Sequence, residues 1–565
     1  MHYSLLADAY EELEGVPSKL KKTEILAKLL KETPTDDLET VVLLATGNVF
    51  PSWSEEEIGV AEKMMVKAIA KACGAADSDA VKMYKKTGDL GLTAEEMAKS
   101  KRQKSLLHKA LTVSIVSDNI KKLSGVGGKG SQERKMSLIA ELLVSAKPKE
   151  ARYVVRTVLQ ELRIGVAEGI IRDSIAKAFD VNADAVENAY FLNQDYGLVA
   201  KIARKSGEAG LKKVGVELGK PISVLLGEKA PSLKEAIDSF DRVALEVKYD
   251  GMRVQIHKNG KRIWLYTRRQ ENVTKQFPDI VRFAEKFLKP NACIVEGEAL
   301  AVDPKSGKPV AFQMLSQRIK RKYDIEKTVK DIPVEVNLFD IVYLNGRELF
   351  DVPFHERRKL LEESMKTSRG EFQLAEQIVT KDIAKAERFY NDSLKSGQEG
   401  VMVKNLDSKY VFGRKVAGGW LKVKPVLESL DLAIIGATWG TGKRVGGMGS
   451  FVLGVLNDET GKFEECGMLG TGIKEKSGEG VTTLTELTKL LRPHIESEKG
   501  NHVTIHPKVI IEVQYEEIQQ SPTYSSGYAL RFPRMIHVRY DKSARDADTL
   551  SRLKEIYKMQ KGRRK

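Results

Sequence analysis

The sequence predicts a multidomain chain: an all-α N-terminal domain over 1–220, an α/β (α+β) domain over 221–425 and a small all-β barrel over 426–565. Three observations carry this. The length, 565 residues, exceeds what one hydrophobic core organises, and 42% hydrophobic content can fill several. Up to about Lys213 apolar residues recur at spacings of three and four, as in Leu138, Ile139, Leu142 and Leu143. From Arg242 the period becomes two, and after Pro425 short β-rich segments alternate with Gly-rich turns.

Taken in order, the helical pattern ends where Pro221, Gly227 and Pro231 break it. Strands are then expected near 243–250, 252–257, 292–302, 334–344 and 399–404, with helices near 276–288 and 355–366. The barrel draws on Leu432–Thr438, Ser450–Leu456 and Val509–Tyr515.

Lys and Arg number 93 against 78 Asp and Glu, a formal charge of +15, which favours a polyanionic partner such as nucleic acid. A charged surface of a heat-adapted protein would look similar, and the two are compatible. Cys73, Cys293 and Cys466 are far apart and odd in number, so neither a disulfide framework nor a clustered zinc site is expected. A reducing, cytoplasmic setting fits. The acidic N-terminus and the lack of a long apolar run argue against secretion and membrane insertion.

The chemistry concentrates in Glu246-Val247-Lys248-Tyr249-Asp250-Gly251-Met252-Arg253. Alternation puts Glu246, Lys248 and Asp250 on one strand face and Val243, Leu245 and Val247 on the other. A lysine becomes a nucleophile once its amine loses its proton, and nearby cations or desolvation favour that state. Alone, the segment would be an ordinary strand with an exposed lysine.

Segments further along the chain give it company. Tyr266-Thr267-Arg268-Arg269 closes one strand, Val295-Glu296-Gly297-Glu298 puts two carboxylates on one face of another, and Phe339-Asp340 lies in a third. Glu399-Gly400-Val401-Met402-Val403-Lys404 and Trp420-Leu421-Lys422-Val423-Lys424 come next, the latter placing Trp420, Lys422 and Lys424 together. Nucleotidyl transfer needs such a set: cations for the α-phosphate, carboxylates for ribose and Mg²⁺, an aromatic ring for the base.

In this order the segments resemble the covalent nucleotidyltransferases, and among them the ATP-dependent DNA ligases of the archaeal and eukaryotic replicative type, over nearly the whole chain. The resemblance implies a helical DNA-binding domain, an adenylation domain and an OB-fold closing around nicked double-stranded DNA, with ATP and Mg²⁺ as cofactors. It implies that Lys248 takes AMP from ATP and passes it to a 5′-phosphate, which the adjoining 3′-hydroxyl then joins. Glu246 would contact adenine, Arg253 and Arg268 the phosphates or sugar, Glu298 the ribose and metal, and Phe339 the base face. Glu399 would support the metal, Lys422 and Lys424 the α-phosphate, and Arg414, or Lys415 in its place, would lie close by.

The family usually has an Arg-Pro-Met-Leu-Ala-like segment before the lysine motif; here the chain reads Pro221-Ile222-Ser223-Val224-Leu225-Leu226. Leu530–Lys542 resembles the last ligase motif, whose domain presents basic residues to pyrophosphate and then swings onto DNA. Gly442–Gly449 is a basic loop suited to phosphates, and Gly125–Ser131 precedes a helix that Ser131 is expected to cap. The latter also matches G-x-G-x-x-G, but without a βαβ context it implies no dinucleotide fold, and no P-loop spacing occurs. Leu162–Gly169 resembles a signature of the ligase DNA-binding domain, although close glycine packing explains it equally well. Gln103-Lys104-Ser105-Leu106-Leu107 resembles the segment by which archaeal ligases bind the sliding clamp. A monomer associated with the nucleoid is expected. The rivals are an RNA ligase or capping guanylyltransferase, against which the large helical domain argues, and a scaffold that has lost the chemistry, against which the intact motifs argue.

Overall fold

The computed structural model describes the chain apart from residues 52, 101–109, 311, 320, 322–323, 414–418, 426–427, 441–446, 474–481 and 561–565. Helices run from Tyr3–Gly15 to Tyr196–Leu211 and bury one continuous core that includes Leu6, Leu44, Ile69, Ile139, Val154, Ile175 and Val199. Their ends follow capping chemistry. Ser18 accepts the Lys21 N–H, Asp195 accepts those of Gly197 and Leu198, and Pro148 opens a helix whose Glu150 accepts the Lys147 N–H. The helix Ser131–Ser145 departs from expectation: its N-cap is Gly130, at φ +77°, and Ser131 is the first helical residue. A left-handed glycine there satisfies the entry geometry without a side-chain acceptor.

The central region contains β1 Glu228–Lys229, β2 Val243–Lys248, β3 Met252–Asn259, β4 Arg262–Thr267, β5 Ala292–Ala301, β6 Val334–Leu344, β7 Arg347–Glu348, β8 Phe372–Leu374, β9 Gln377–Val379, β10 Gly400–Asn405 and β11 Trp420–Val423. They form two sheets. One has the order β1-β11-β10-β2-β9; the other has β4-β3-β5-β6-β7, with β8 on β6. Alternation decides what each face buries. Val243, Leu245, Val401, Val403 and Val423 pack on one side of the first sheet, beside the helix Ile383–Lys395. Val254, Ile256, Val295, Val336 and Leu338 pack on one side of the second, against the helix Pro278–Phe287. A third cluster draws on both sheets: Ala244 and Trp420 from the first, Ile294, Phe339 and Val342 from the second, together with Ile222, Phe354 and Tyr410. The helices Phe312–Ile319, Ile325–Asp331 and Ile383–Lys395 were not anticipated.

The strand expected over 243–250 stops at Lys248. Tyr249–Gly251 bends into β3, and a Cβ at Gly251 would lie 2.4 Å from the Ala299 carbonyl oxygen, so the close approach there requires glycine. Asp250 therefore lies past the end of the strand that carries Glu246 and Lys248, and its N–H donates to Gln398 Oε1 at 3.1 Å.

The C-terminal region is β-dominated, as expected of an OB-fold. Its strands are β12 Leu430–Trp439, β13 Met448–Leu456, β14 Phe463–Leu469, β15 Ile495–Lys499, β16 His502–Ile505, β17 Ile510–Gln514, β18 Glu517–Gln520, β19 Tyr528–Arg531 and β20 Arg534–Val538. The long β12 pairs with β13 along one edge and with β16 and then β17 along the other. Irregularities at Ile434/Gly436 and Thr438/Trp439 let it bend round a core of Leu432, Phe451, Leu453, Ile511 and Val513. Two helices, Leu484–Leu491 and Leu550–Met559, complete this part.

The second sheet is fastened by an ion pair with no solvent exposure on either side chain: Arg357 Nε and Nη2 each donate at 2.9 Å to Asp340, on β6. Removing one partner strands the other charge in an apolar layer. Asp340→Ala should therefore cost about 3–5 kcal/mol. Calorimetry of the full chain should show the transition of the central region lowered by roughly 6–20 °C; an unchanged transition would show that the pair is dispensable.

Candidate active site

Lys248 ends β2, and its Nζ lies 2.5 Å from Glu399 Oε2. Lys424, just past β11, reaches the same oxygen at 2.9 Å. One carboxylate thus bridges two ammonium groups at the ends of β2 and β11, the strands on either side of β10. The backbone makes this possible: Glu399 N–H donates to the Lys248 carbonyl at 2.9 Å, and Gly400, at φ +131°, pairs with Lys248. A Cβ at Gly400 would lie 2.2 Å from the Val423 carbonyl oxygen, so only glycine lets the strands converge. Burial alone would push the Glu399 carboxyl up; the Lys248 and Lys424 ammoniums outweigh it and hold the group far below the usual carboxylate range.

Glu298, on β5, titrates the other way. Burial pushes its carboxyl up to about 7, with Glu399 and Asp250 adding to the rise and Lys248 and Arg253 opposing it. Its neighbour on the same face, Glu296, is fully buried and accepts Arg253 Nη2 at 2.8 Å. Arg253 also donates Nη1 to the Leu225 carbonyl at 2.6 Å, which leaves its buried Nε without a hydrogen-bond partner. Its guanidinium lies over the Phe339 and Trp420 rings, at 5.3 and 5.8 Å. Phe339 is itself buried and meets Trp420 edge-on, with ring centroids 5.8 Å apart.

Glu246 is held by three groups: Lys404 Nζ at 2.5 Å, Gln377 Nε2 at 2.8 Å and Arg358 Nη1 at 3.6 Å. The Lys404 ammonium also sits 3.8 Å from the Trp420 ring centroid and 4.6 Å from those of Phe339 and Phe354. Lys422 lies on β11 opposite Met402. Arg268 follows β4 directly and is exposed. Arg414, Lys415, Gln103–Leu107 and 442–446 of the basic loop lie outside the described residues.

The C-terminal region touches this pocket. Arg531 Nη1 lies 3.8 Å from Asp250, and Lys424 lies 3.6 Å from Glu516. Further along the same segment, Arg539 and Lys542 instead bind Asp431, Arg539 at 2.9 Å and Lys542 at 2.5 Å. The sequence alone did not single out Gln377, Arg358 or Tyr410, and gave Lys404 no role. Its one signal for Lys404 was a lysine on an otherwise apolar strand.

The site lies in a region, residues 225–424, that matches the family model described as ATP dependent DNA ligase domain. Residues 2–176 match the DNA ligase N terminus, and residues 444–542 match the ATP dependent DNA ligase C terminal region. The chain is 48% identical to a DNA ligase of Nanoarchaeum equitans over 564 residues, covering 100% of this chain and 99% of that one. With a DNA ligase of Thermococcus fumicolans the identity is 46%, covering 99% of each. The chain belongs to the ATP-dependent DNA ligase family, and its activity is the ATP-dependent sealing of nicks in DNA. The solved structure named Pmar-Lig_Pre superposes with a TM-score of 0.59 over 95% of this chain and 99% of that one; at 17% identity it shows the fold alone.

Because Glu298 holds its proton more tightly in the folded chain than at its ordinary value of 4.5, its contribution to stability is full below about pH 4.5 and is lost as pH rises through about 7. The wild type should lose more stability than Glu298→Gln between pH 5 and pH 8. Thermal midpoints at the two pH values check this, and parallel behaviour of the two proteins would contradict it.

Proposed function

We propose that Lys248 is the nucleophile of the ligase and that the pocket between the two central sheets holds ATP for its attack. The observation that carries this is the Glu399 carboxylate shared by Lys248 and Lys424. It holds the attacking group and a phosphate-binding cation within one carboxylate of each other. Attack forms the bond from Lys248 Nζ to the α-phosphorus and breaks the bond to pyrophosphate, which leaves. The proton lost from the ammonium goes to solvent. AMP then passes from Lys248 to the 5′-phosphate at a nick, and the 3′-hydroxyl displaces it as the phosphodiester forms.

The remaining groups have roles that fit their positions. Lys422 and Lys424 stabilise charge on the α-phosphate, and Arg414 or Lys415 joins them. Glu246, pinned by donors, is left as an acceptor for the amino group of adenine. Phe339 and Trp420 form an aromatic wall beside the base. Arg253, with a buried Nε unsatisfied, and Arg268 address sugar or phosphate. Glu298 binds the ribose.

Among the described residues no three His, Cys, Asp or Glu groups form a ready-made metal cage. The donor set still fits Mg²⁺, which at phosphoryl sites takes one or two carboxylates and completes its shell with water and phosphate. Glu399 and Glu298 would hold it, and when bound it supplies charge neutralisation at the phosphates.

At the scale of the chain, 1–220, 221–425 and 426–565 act as three units that close around a nicked duplex. A monomeric, nucleoid-associated enzyme that serves replication, recombination and repair, and meets the sliding clamp through Gln103–Leu107, completes this proposal. The described residues contain no helix long and apolar enough to cross a membrane.

Incubating the full chain with α-labelled ATP and Mg²⁺ without DNA should put acid-labile label on the wild type and none on Lys248→Ala. A nicked duplex should chase the label onto DNA, and chelation of the metal should prevent labelling. Label retained by Lys248→Ala would move the nucleophile elsewhere.

A further inference from the structure

The polar face of β3 carries an arrangement that the reaction as described does not use. Met252, Val254 and Ile256 point into the core of the second sheet, so the alternate residues Arg253, Gln255 and His257 share the opposite face. Lying on that face is the segment Gly219–Leu225, by which the chain enters from the helical region. Helical-region contacts fix the segment from its other side: Ser223 N–H donates to the Phe191 carbonyl at 2.8 Å, and Gln194 Nε2 donates to Ser223 Oγ at 2.7 Å.

The polar groups form a ladder. Gly219 N–H donates to His257 Nδ1 at 3.3 Å. Burial holds this imidazole down at about 3, so it is neutral at physiological pH. With Nδ1 accepting, Nε2 carries the hydrogen and donates to Gln255 Oε1 at 2.9 Å. The Gln255 amide brackets the Ile222 backbone: Oε1 accepts its N–H at 3.0 Å, and Nε2 donates to its carbonyl at 3.3 Å. The same Nε2 donates to Glu296 Oε1 at 3.1 Å. Glu296 Oε2 accepts from Arg253 at 2.8 Å and from the Tyr410 hydroxyl at 2.9 Å. Tyr410 in turn accepts the Leu225 N–H at 3.0 Å, and Arg253 donates to the Leu225 carbonyl.

Four of its side chains, Gln255, His257, Glu296 and Tyr410, are at most 3% exposed, and Arg253 and Gly219 at its ends are partly buried. In such surroundings an unmade hydrogen bond is expensive, so the rungs specify one another's positions. Two of the three guanidinium nitrogens of Arg253 are each engaged by the ladder, and Nε has no hydrogen-bond partner. Glu296 also cancels the charge of Arg253, so that this residue serves as an aimed donor more than as a free cation.

We infer that Gln255, Glu296 and Tyr410 are positioning residues for the ligase reaction. They aim Arg253 at the nucleotide, using the interdomain segment Ile222–Leu225 as the fixed side of the ladder. This inference rests on the proposal that ATP occupies the Lys248 pocket and meets Arg253.

The test is DNA-independent adenylation of the full chain from α-labelled ATP over a range of concentrations. Wild type, Gln255→Leu, Tyr410→Phe and Arg253→Met are compared, together with each of the first two substitutions combined with Arg253→Met. Gln255→Leu and Tyr410→Phe should each raise the half-saturating ATP concentration about tenfold, with the rate at saturation within about twofold of wild type. Neither should weaken ATP use further once Arg253 is methionine, because both act through it. Unchanged half-saturation in both folded single variants, or effects that multiply with Arg253→Met, would overturn the inference. Tyr410→Phe removes one oxygen only and decides the matter if Gln255→Leu does not fold. Lack of label on the wild type would overturn the Lys248 assignment and the ladder's role together, whereas normal labelling with unmoved half-saturation would overturn the ladder alone.

Discussion

Glu399 sits where burial opposes its charge, and two lysines hold it charged nonetheless. A carboxylate and two ammoniums can share such a place only if their separations are short and fixed, because the attraction that offsets desolvation falls with distance and is lost when water enters. Much of the central region serves that requirement. β10 lies between β2 and β11, Gly400 removes the side chain that would hold the strands apart, and valines pack the outer face of the sheet. The residues around the bridge are fastened in the same way: Arg253 to Glu296, Glu246 to Lys404, Asp340 to Arg357.

The layer between the sheets is therefore neither an oily core nor an open polar cleft. Lys404 and Arg253 lie over the rings of Phe339 and Trp420 and are neutralised by carboxylates behind them. Aromatic faces attract cations while excluding water, so this lining keeps charges close and the local dielectric low. On the proposed placement of ATP, the nucleotide would meet groups already oriented, and little reorganisation would remain when charge develops on phosphorus.

How much of this was legible in the sequence depended on range. The motif strands were readable because alternation over six to eight residues is a local property, and Glu246 with Lys248, or Glu296 with Glu298, follow from it directly. Asp250 did not, since the chain bends after Lys248 and brings Gly251 against the Ala299 carbonyl, on a strand more than forty residues away. The partners of Glu246, namely Gln377, Arg358 and Lys404, come from three separate elements that no spacing rule connects. Tyr410 and the Ile222–Leu225 segment escaped for the same reason. The cap at Ser131 failed locally: serine and a left-handed glycine compete for the same role, and Gly130 took it. The all-β character of the C-terminal region was visible in its short strands, while the irregularities that bend β12 were not.

Cys73, Cys293 and Cys466 are all buried, and no disulfide joins them. Burial pushes the Cys293 thiol up to about 12 and that of Cys466 higher still, so neither forms an appreciable thiolate at neutral pH. These two cysteines are thus a silent background for thiol chemistry. A cysteine introduced at an exposed position on either side of the Lys248 pocket would take a maleimide dye with little competition from these two, and domain movement could be followed by fluorescence in the otherwise native chain.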